Sequence, residues 1–350
     1  MTPVAADTAG SRGTDPVVDC HAHTVPVGLL GEISNRADGI QGFTARRTDG
    51  EWLVEPPGGA APLQLHAKMV DAELRQKWCA DQDVSVQVLS PWMDIQPTDA
   101  MSPTEARDWA RRLNAAMLEL ADEGPLKQPV LATVATHAPE TAAEDLRDAV
   151  QENGMNGLLL NTNPPGQPDL AASDLEPLWA AAEDLAVPVM LHPPTDGPSS
   201  RLPGIDGFGN VFGRLVDTTM AASRLILSGV LDRYPRLALI LVHGGGFLPF
   251  QSQRLDGGHR LPPLAASELE RETPSAYLQD LYFDTVALSS ASIRLLTDVV
   301  GTPRILFGSD YPFTLGGPTP VRAVHDAGLD DVDAVLGGNA HSLFTRSVHA

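Results

Sequence analysis

The sequence predicts an α/β fold in which eight β/α units close into a (β/α)₈ barrel, the TIM barrel, as a single domain. Short apolar runs alternate with longer segments of helical period along the 350 residues. Several runs are apolar on both faces, as in a parallel sheet that helices cover. One barrel of this kind commonly accounts for a chain of this length. A doubly wound open sheet is the alternative that the same alternation allows.

The predicted strands and helices follow one another in order from residue 17. The strands are Val17–Cys20, Val84–Leu89, Val130–Val134, Gly157–Leu160, Val187–Leu191, Leu237–Val242, Leu281–Phe283 and Arg304–Phe307. The helices are Leu65–Ala80, Pro103–Asp122, Pro139–Asn153, Asp174–Ala186, Val211–Tyr234, Gly246–His259, Ser289–Val300 and Thr319–Ala327.

Two further features set the predicted domain organisation. Residues 1–16 lack the basic start and apolar stretch of a secretory signal, so we expect a disordered arm before a barrel over 17–346. Long connections follow the first strand, at 24–64, and the fifth, at 193–210. Both contain Gly, Pro and aromatic residues, and loops of such length often serve as lids or binding loops. We therefore predict a lid-like insertion at 24–64.

The charge balance excludes several classes of partner. The chain has 24 Lys and Arg against 45 Asp and Glu, a net charge of −21. Such a surface repels phosphate backbones and anionic lipid, so neither nucleic acid nor a membrane is an expected partner. The longest apolar runs are too short to cross a bilayer. Two cysteines, Cys20 and Cys79, make no disulfide framework, which favours a reducing cytoplasm.

Histidines and one aspartate stand at the ends of several predicted strands. The first strand runs into His21-Ala-His23, and side chains two apart on a strand share a face. Alone this pair could equally be a surface or packing pair. The fifth, sixth and eighth strands run into His192, His243 and Asp310. Because residues after the strands of such a barrel face one active-site mouth, they fit a divalent transition metal with an open position.

One more carboxylate lies on the first strand. Asp19 stands two residues before His21, so alternation would point it inward as well. It could orient a ligand imidazole through a hydrogen bond, or be an ordinary buried polar residue.

Other catalytic arrangements are excluded by missing residues. His243-Gly-Gly-Gly246 resembles an oxyanion-hole motif, but the chain has no Gly-x-Ser-x-Gly nucleophile elbow. The glycines better fit a tight turn after the strand. The fourth strand runs into Asn161, and the three lysines, Lys68, Lys77 and Lys127, lie elsewhere. A lysine-bridged metal pair and Schiff-base chemistry are thus excluded, and one metal is favoured.

These motifs together resemble a known family. Asp19-x-His-x-His23, Leu191-His-Pro, Val242-His-Gly-Gly-Gly and Phe307-Gly-Ser-Asp-Tyr-Pro-Phe are similar to the amidohydrolase superfamily, in its branch of aminocarboxymuconate semialdehyde and aromatic-acid decarboxylases. The likeness extends from about residue 17 to 344. It implies the barrel fold.

The resemblance also assigns roles. It implies that His21, His23, His192 and Asp310 bind one Zn²⁺ per chain, with Mn²⁺ as the alternative, and that His243 is a general acid/base. It further implies a homodimer in which Arg254 reaches the neighbouring active site and binds a substrate carboxylate. The alternative for Arg254 is a pair with Asp256 or another local acid.

One departure concerns a second carboxylate-binding arginine. The semialdehyde decarboxylases carry it just after an Asp-Gly turn, whereas Asp49-Gly50 is followed by Glu51-Trp-Leu-Val54. Arg46 and Arg47 could substitute from the other arm of the hairpin, or be solvated charges. The aminocarboxymuconate substrate itself is therefore not implied.

The resulting functional hypothesis is a metal-dependent, non-oxidative decarboxylase of a small aromatic or unsaturated carboxylic acid. In it the metal acts as a Lewis acid, Asp310 or His243 moves the proton that replaces the carboxylate, and Arg254 holds the substrate's anionic group. The alternative is a single-metal hydrolase or hydratase acting on a lactone, C–C or related bond. A third hypothesis is a binding protein that keeps the metal fold without turnover.

Overall fold

The computed structural model describes residues 16–59, 61–122, 128–162, 166, 169–264, 269–287, 289–313, 315 and 317–345. The predicted N-terminal arm, apart from Pro16, and Lys127 lie outside the described residues. Among the described residues no helix is long and apolar enough to span a bilayer.

Eight parallel strands form the barrel, close to the predicted positions. They are β1 (Val18–Thr24), β5 (Val86–Pro91), β6 (Leu131–Ala132), β7 (Gly157–Asn161), β8 (Val189–His192), β9 (Leu239–Leu241), β10 (Tyr282–Asp284) and β11 (Ile305–Leu306). β1 pairs with β5, and β6 to β11 form a six-stranded sheet in chain order. This parallel order fits strands whose connections are helices on the outside.

The two sheets join at both edges and complete the ring. A parallel bridge between Leu89 and Val130 connects β5 to the residue before β6. On the other side, Ala22 bridges to Tyr311 after β11, and Cys20 N donates to Phe307 O at 2.9 Å. The strands therefore follow one another around a closed barrel, and the open-sheet alternative is wrong.

The helices run back along the outside of the barrel. Those of the barrel units are α2 (Ala67–Val70), α3 (Ala72–Asp81), α4 (Pro103–Asp122), α5 (Pro139–Arg147), α6 (Glu176–Asp184), α7 (Arg214–Leu227), α8 (Val230–Arg233), α9 (Leu248–His259), α10 (Ser290–Val300), α11 (Pro320–Asp326) and α12 (Asn339–Thr345). π-helical turns over 148–152, 209–213 and 334–338 continue or precede three of them.

The strand period divides the apolar core into an inner and an outer layer. Leu158 and Leu160 of β7 pack with the helices, whereas Leu159 packs inside with Met190 and Ile240 of the neighbouring strands. Alternate residues of a strand point to opposite faces, so each barrel strand is buried on both sides. The apolar runs that predicted the strands follow from this double burial.

The insertion after β1 has regular structure. It contains α1 (Val27–Ser34) and an antiparallel sheet of β2 (Thr44–Thr48), β3 (Glu51–Glu55) and β4 (Leu63–Gln64), with Asp49-Gly50 as the hairpin turn. Phe43 stacks on Trp109 of α4, which anchors the insertion to the side of the barrel. The segment at 24–64 is therefore a small packed subdomain.

Candidate metal centre and active site

Four predicted side chains converge at the carboxyl ends of the barrel strands. His21 and His23 lie on β1, His192 ends β8, and Asp310 follows β11. One ligand atom from each lies within 4.8 Å of the others, and all four residues are buried. The Nε2 atoms of His21 and His23 are 3.1 Å apart. Three nitrogens and one carboxylate oxygen at this spacing suit a divalent transition metal.

Hydrogen bonds on the far side of two rings present Nε2 to this centre. Nδ1 of His21 lies 2.6 Å from Asp284 Oδ2, and a carboxylate can only accept, so Nδ1 carries the proton. Nδ1 of His23 lies 3.1 Å from Ser90 Oγ. The Ser90 hydroxyl donates its own proton to Ala22 O at 3.0 Å, which leaves its oxygen to accept from His23. In their neutral forms both rings therefore keep an Nε2 lone pair for a metal.

The third histidine follows the same rule. His192 Nδ1 lies 2.9 Å from Pro193 O, a carbonyl that can only accept a proton. Its Nε2 is buried and has no hydrogen-bond partner among the described residues. A buried imidazole nitrogen without a partner is costly, and a metal ion would satisfy it. The donor set and this orphan atom therefore fit a bound divalent metal.

Asp310 adds the negative charge to the histidine cluster. Its Oδ1 lies 3.3 Å from Nε2 of both His21 and His23. Its φ of 59° lies in the left-handed region, which non-glycine residues rarely adopt. The bond from Asp310 N to His21 O, at 2.9 Å, holds this conformation against β1. Such held strain is typical of functional sites.

The site electrostatics favour a cation at its centre. Burial disfavours a charged Asp310, but the His21 imidazole and the hydrogen bonds outweigh it and hold its pKa well below its usual range. Burial lowers the pKa of His23 to about 4 and that of His192 well below its ordinary value. For His21, burial is outweighed by Asp310 and Asp284, which raise its pKa to about 10. Two imidazoles are thus neutral beside a carboxylate that keeps its charge.

His243 begins a turn that only glycines can complete. Its φ is 56°, and the next three residues, Gly244, Gly245 and Gly246, also have positive φ values of 61°, 75° and 64°. A Cβ at Gly245 would lie 2.6 Å from the Phe283 ring, and one at Gly246 would lie 2.4 Å from a backbone oxygen of α7. The prediction of a tight turn after the sixth strand is confirmed.

His243 lies beside the four candidate metal ligands but is not one of them. Its Nε2 lies 3.8 Å from Asp310 Oδ2, and its ring centroid is 5.1 Å from that of His192. The four-residue ligand group does not include it. His243 and Asp310 border a cavity of about 230 Å³ with mostly apolar walls. Those walls are Val211, Leu215, Phe247, Phe250, Val286, Ala287 and Leu315, with Asn210, Arg214 and Ser292 as the other polar members.

Asp284 is a buried carboxylate of the candidate site that the sequence interpretation missed. It ends β10 and is fully buried. One carboxylate oxygen accepts from His21, and the other accepts from Gly244 N at 2.7 Å and Val286 N at 3.1 Å. Asp284 thus positions the His21 imidazole and the turn that carries His243 together. Its place directly after the predicted strand Leu281–Phe283 was the available signal.

Of the two roles that the sequence leaves open for Asp19, the structure shows the buried polar residue and not a carboxylate that orients a ligand imidazole. Its carboxylate accepts from Ser309 Oγ at 2.6 Å and Gln87 Nε2 at 2.9 Å, on the side where Gln87 also meets Arg75 of α3. A register shift in β1 after Asp19 breaks the simple alternation that predicted an inward side chain. Its other oxygen accepts from Ser309 N at 3.0 Å, so Asp19 fixes the backbone before Asp310 as a buried polar residue.

The predicted arginines lie outside the described cavity. Arg254 is exposed on α9, and among the described residues its guanidinium has no hydrogen bond or ion pair. The alternative partner Asp256 is buried and accepts from Ser275 instead. Arg46 pairs with Glu55 on the surface, and Arg47 bonds to the carbonyl of Gly50, so neither replaces an arginine of the pocket.

A closed β/α barrel with a buried His/Asp cluster at its strand ends defines a metal-dependent enzyme class of the amidohydrolase type. The family model described as amidohydrolase matches residues 18–346. The chain belongs to this amidohydrolase family.

Curated relatives of the chain include decarboxylases and a hydratase. It is 26% identical over 280 residues to 2-amino-3-carboxymuconate-6-semialdehyde decarboxylase of Dictyostelium discoideum, covering 79% of this chain and 77% of the relative. It is 29% identical over 272 residues to gamma-resorcylate decarboxylase of Polaromonas sp., covering 71% and 80%. It is 24% identical over 359 residues to 2-keto-4-carboxy-3-hexenedioate hydratase of Sphingobium sp., covering 94% and 96%.

Solved structures support the same fold. The 5-carboxyvanillate decarboxylase of Sphingomonas paucimobilis superposes with a TM-score of 0.75 at 22% identity, covering 94% of this chain and 99% of that one. The dihydroxybenzoic acid decarboxylase of Polaromonas sp., solved with bound manganese and 2-nitroresorcinol, has a TM-score of 0.74 at 21% identity, covering 96% and 100%.

Proposed function

We propose that the chain is a metal-dependent, non-oxidative decarboxylase of a small aromatic or unsaturated carboxylic acid. The observation that carries the proposal is the convergence of three Nε2 lone pairs with Asp310, beside His243 and an apolar cavity. The decarboxylases among the relatives support this reaction class. An apolar cavity with few polar groups suits a flat unsaturated ring or chain.

The proposed cofactor is one Zn²⁺ per chain, held by His21, His23, His192 and Asp310, with Mn²⁺ as the alternative. The manganese in the Polaromonas enzyme supports a divalent ion in this class of site. When bound, the ion supplies Lewis-acid stabilisation of negative charge that develops on the substrate. With three neutral imidazoles and one carboxylate as ligands, a bound divalent ion would leave the site with a net positive charge, which would attract a carboxylate substrate.

His243, Asp310 and the apolar cavity walls have separate roles in the proposed reaction. The C–CO₂ bond breaks and its electron pair stays on the substrate carbon. CO₂ leaves, and a proton takes its place on that carbon, so no oxidant is needed. His243 Nε2, which lies 3.8 Å from Asp310 Oδ2, delivers this proton, with Asp310 as its neighbour in the transfer. Phe247, Phe250 and Val286 line the cavity and keep water from the reacting carbon.

Released CO₂ is the test of this reaction. Metal-replete protein is incubated with hydroxybenzoates, orotate-like acids and muconate semialdehydes, and the released CO₂ is measured against metal-stripped protein. We expect metal-dependent CO₂ from at least one acid. A product formed without CO₂ overturns decarboxylation in favour of the hydratase or hydrolase alternative.

Metal content tests the ligand set independently of turnover. We expect elemental analysis to find one equivalent of metal per chain, and a His21→Ala, His23→Ala double variant to lose it. His325→Ala, a variant of a histidine on α11, serves as the control and should retain the metal. Two metals per chain, or unchanged content in the double variant, would contradict the assignment.

We further propose a homodimer in which Arg254 completes the active site of the partner subunit. Arg254 is exposed on α9, whereas the cavity is lined by the preceding Phe247 and Phe250. Two exposed apolar side chains, Val211 and Leu315, stand at this cavity, and a second copy of the chain would cover them. A guanidinium arriving with that copy would bind the substrate carboxylate.

Subunit complementation tests the shared site. Arg254→Ala and His243→Ala variants, each inactive, are mixed under conditions that exchange subunits. A mixed dimer holds one pocket with neither defect, so part of the activity should return. If subunit exchange is verified and no activity returns, Arg254 does not act across the interface.

A hydratase or hydrolase is the second candidate function. The hydratase relative covers nearly the whole chain, and the same ligands suit water activation. Neither reaction needs an oxidising compartment, and both cysteines are free, so we propose a cytoplasmic location in either case.

A further inference from the structure

An arginine that the sequence interpretation did not consider borders the proposed active site. Arg214 begins α7 and lines the cavity that also contacts His243 and Asp310. It is the one arginine among the lining residues of that cavity in the described part of the chain. Its charge is therefore the fixed positive charge that this chain itself places beside a bound substrate.

Three hydrogen bonds hold the guanidinium in place. Nη1 donates to Pro193 O at 2.8 Å, Nη2 to Thr195 Oγ1 at 3.0 Å, and Nε to Asn210 Oδ1 at 2.6 Å. Pro193 O is also the acceptor for His192 Nδ1. The guanidinium is thus tied to the same carbonyl that orients a proposed metal ligand, so its position relative to the metal centre is fixed.

The guanidinium still has unused binding capacity. It carries five N–H groups, of which these bonds use three, leaving one on each terminal nitrogen. A carboxylate can accept from one N–H on each terminal nitrogen of a guanidinium as a bidentate pair. Among the described residues no carboxylate forms an ion pair with Arg214; Asp94 and Asp217 interact with its charge at longer range, but their carboxylates accept from Thr195 and Ser199. A guanidinium at a cavity wall with unused N–H groups and no directly paired acid points to an anionic ligand.

We propose that Arg214 binds a second acidic group of the substrate, so that the preferred substrate is an acid with two anionic substituents. This inference rests on the proposed function. In this arrangement the carboxylate to be lost would face the proposed metal ligands, and the second group would lie against Arg214. The apolar side chains Leu215, Phe247 and Phe250 contact the carbon skeleton between them. Arg214 is thereby a specificity-determining residue of this chain's own pocket.

Equilibrium binding of simple probes tests this role without turnover. Isothermal titration of the manganese-loaded protein compares benzoate with the three benzenedicarboxylates, phthalate, isophthalate and terephthalate. We expect at least one diacid to bind about 10- to 100-fold more tightly than benzoate, the range that a charge-assisted hydrogen-bonded pair supplies. Arg214→Met should abolish that preference and leave benzoate within about twofold of the unmodified protein.

Two further variants separate recognition from structural support. Arg214→Lys keeps the charge but loses the planar fork, so it should retain only part of the preference. Arg224→Met removes an exposed arginine of the same helix that pairs with Asp169, and it should change neither affinity. If Arg214→Met instead weakens the binding of benzoate and of the diacid equally, and also lowers the metal content, Arg214 only supports the 193–195 segment.

The inference and the reaction can fail separately. If no diacid binds more tightly than benzoate, or if Arg214→Met keeps the preference, Arg214 does not recognise an acidic group, even where CO₂ release is observed. If the preference depends on Arg214 but no acid releases CO₂, the decarboxylase assignment fails and the role of Arg214 stands.

Discussion

Replacing Asp284 by asparagine should uncouple the metal site from the turn that carries His243. The carboxylate accepts from His21 Nδ1 at 2.6 Å with one oxygen and from Gly244 N and Val286 N with the other. An asparagine retains a single acceptor oxygen. If that oxygen serves the two backbone amides, an NH₂ group faces His21, and the ring must move its proton to Nε2, the atom that binds metal.

The expected loss of metal affinity and of stability follows from the hydrogen bonds that the variant loses. Removing the partner of a ligand imidazole typically weakens metal binding about 10- to 100-fold, which corresponds to about 1.4 to 2.8 kcal/mol. A fully buried charge-assisted bond is also lost, so the free energy of unfolding of the metal-free protein should fall by about 1.5 to 3 kcal/mol.

A competition titration against a chromophoric chelator measures the metal affinity, and urea unfolding measures the stability. The matched control is Asp256→Asn, which changes another buried carboxylate that accepts from a backbone amide and a hydroxyl of Ser275. The control should lose stability but keep its metal affinity. A metal affinity of Asp284→Asn within about twofold of the unmodified protein would refute the tautomer argument.

Four further outcomes are expected. His243→Ala should keep its metal by elemental analysis and lose about 10²- to 10⁴-fold in turnover; a metal-free variant would make His243 a ligand. Gly246→Ala should lower the free energy of unfolding by about 2 to 4 kcal/mol, because its Cβ would lie 2.4 Å from a backbone oxygen at a φ of 64°. Gly257→Ala, in open space on α9, should instead raise it by about 0.5 to 1 kcal/mol in the same urea titration. Ser90→Ala should weaken metal binding in the chelator titration, by less than Asp284→Asn, because the neighbouring imidazole loses a neutral acceptor.

The barrel was predictable because its strands are buried on both faces. Leu158 to Leu160 show why, since the outer and inner layers of the core both require apolar residues from one strand. The candidate metal site was predictable for a related reason. His192 and Asp310 directly follow apolar runs. The carboxyl ends of the parallel strands all lie at the same end of the barrel, so residues after them meet there.

What escaped prediction depends on irregular backbone and on distant contacts. The register shift in β1 turns Asp19 toward Gln87, and no period-two pattern reports such a shift. Arg214 lies 22 residues beyond His192 in the sequence, yet the bond to Pro193 O brings it to the same strand end. Asp284 obeyed the strand-end rule directly after the predicted strand Leu281–Phe283, but it was not considered as a site residue.

Asp310 joins the two halves of the site through its two oxygens. Oδ1 lies 3.3 Å from the metal-facing nitrogens of His21 and His23, whereas Oδ2 lies 3.8 Å from Nε2 of His243. Both Asp310 and His243 have positive φ, so these orientations are set by the backbone rather than by side-chain rotation alone. An Asp310 variant should therefore disturb the proposed metal binding and the proposed proton transfer at once. His243 is the position at which the two can be separated, because it contacts Asp310 without belonging to the ligand group.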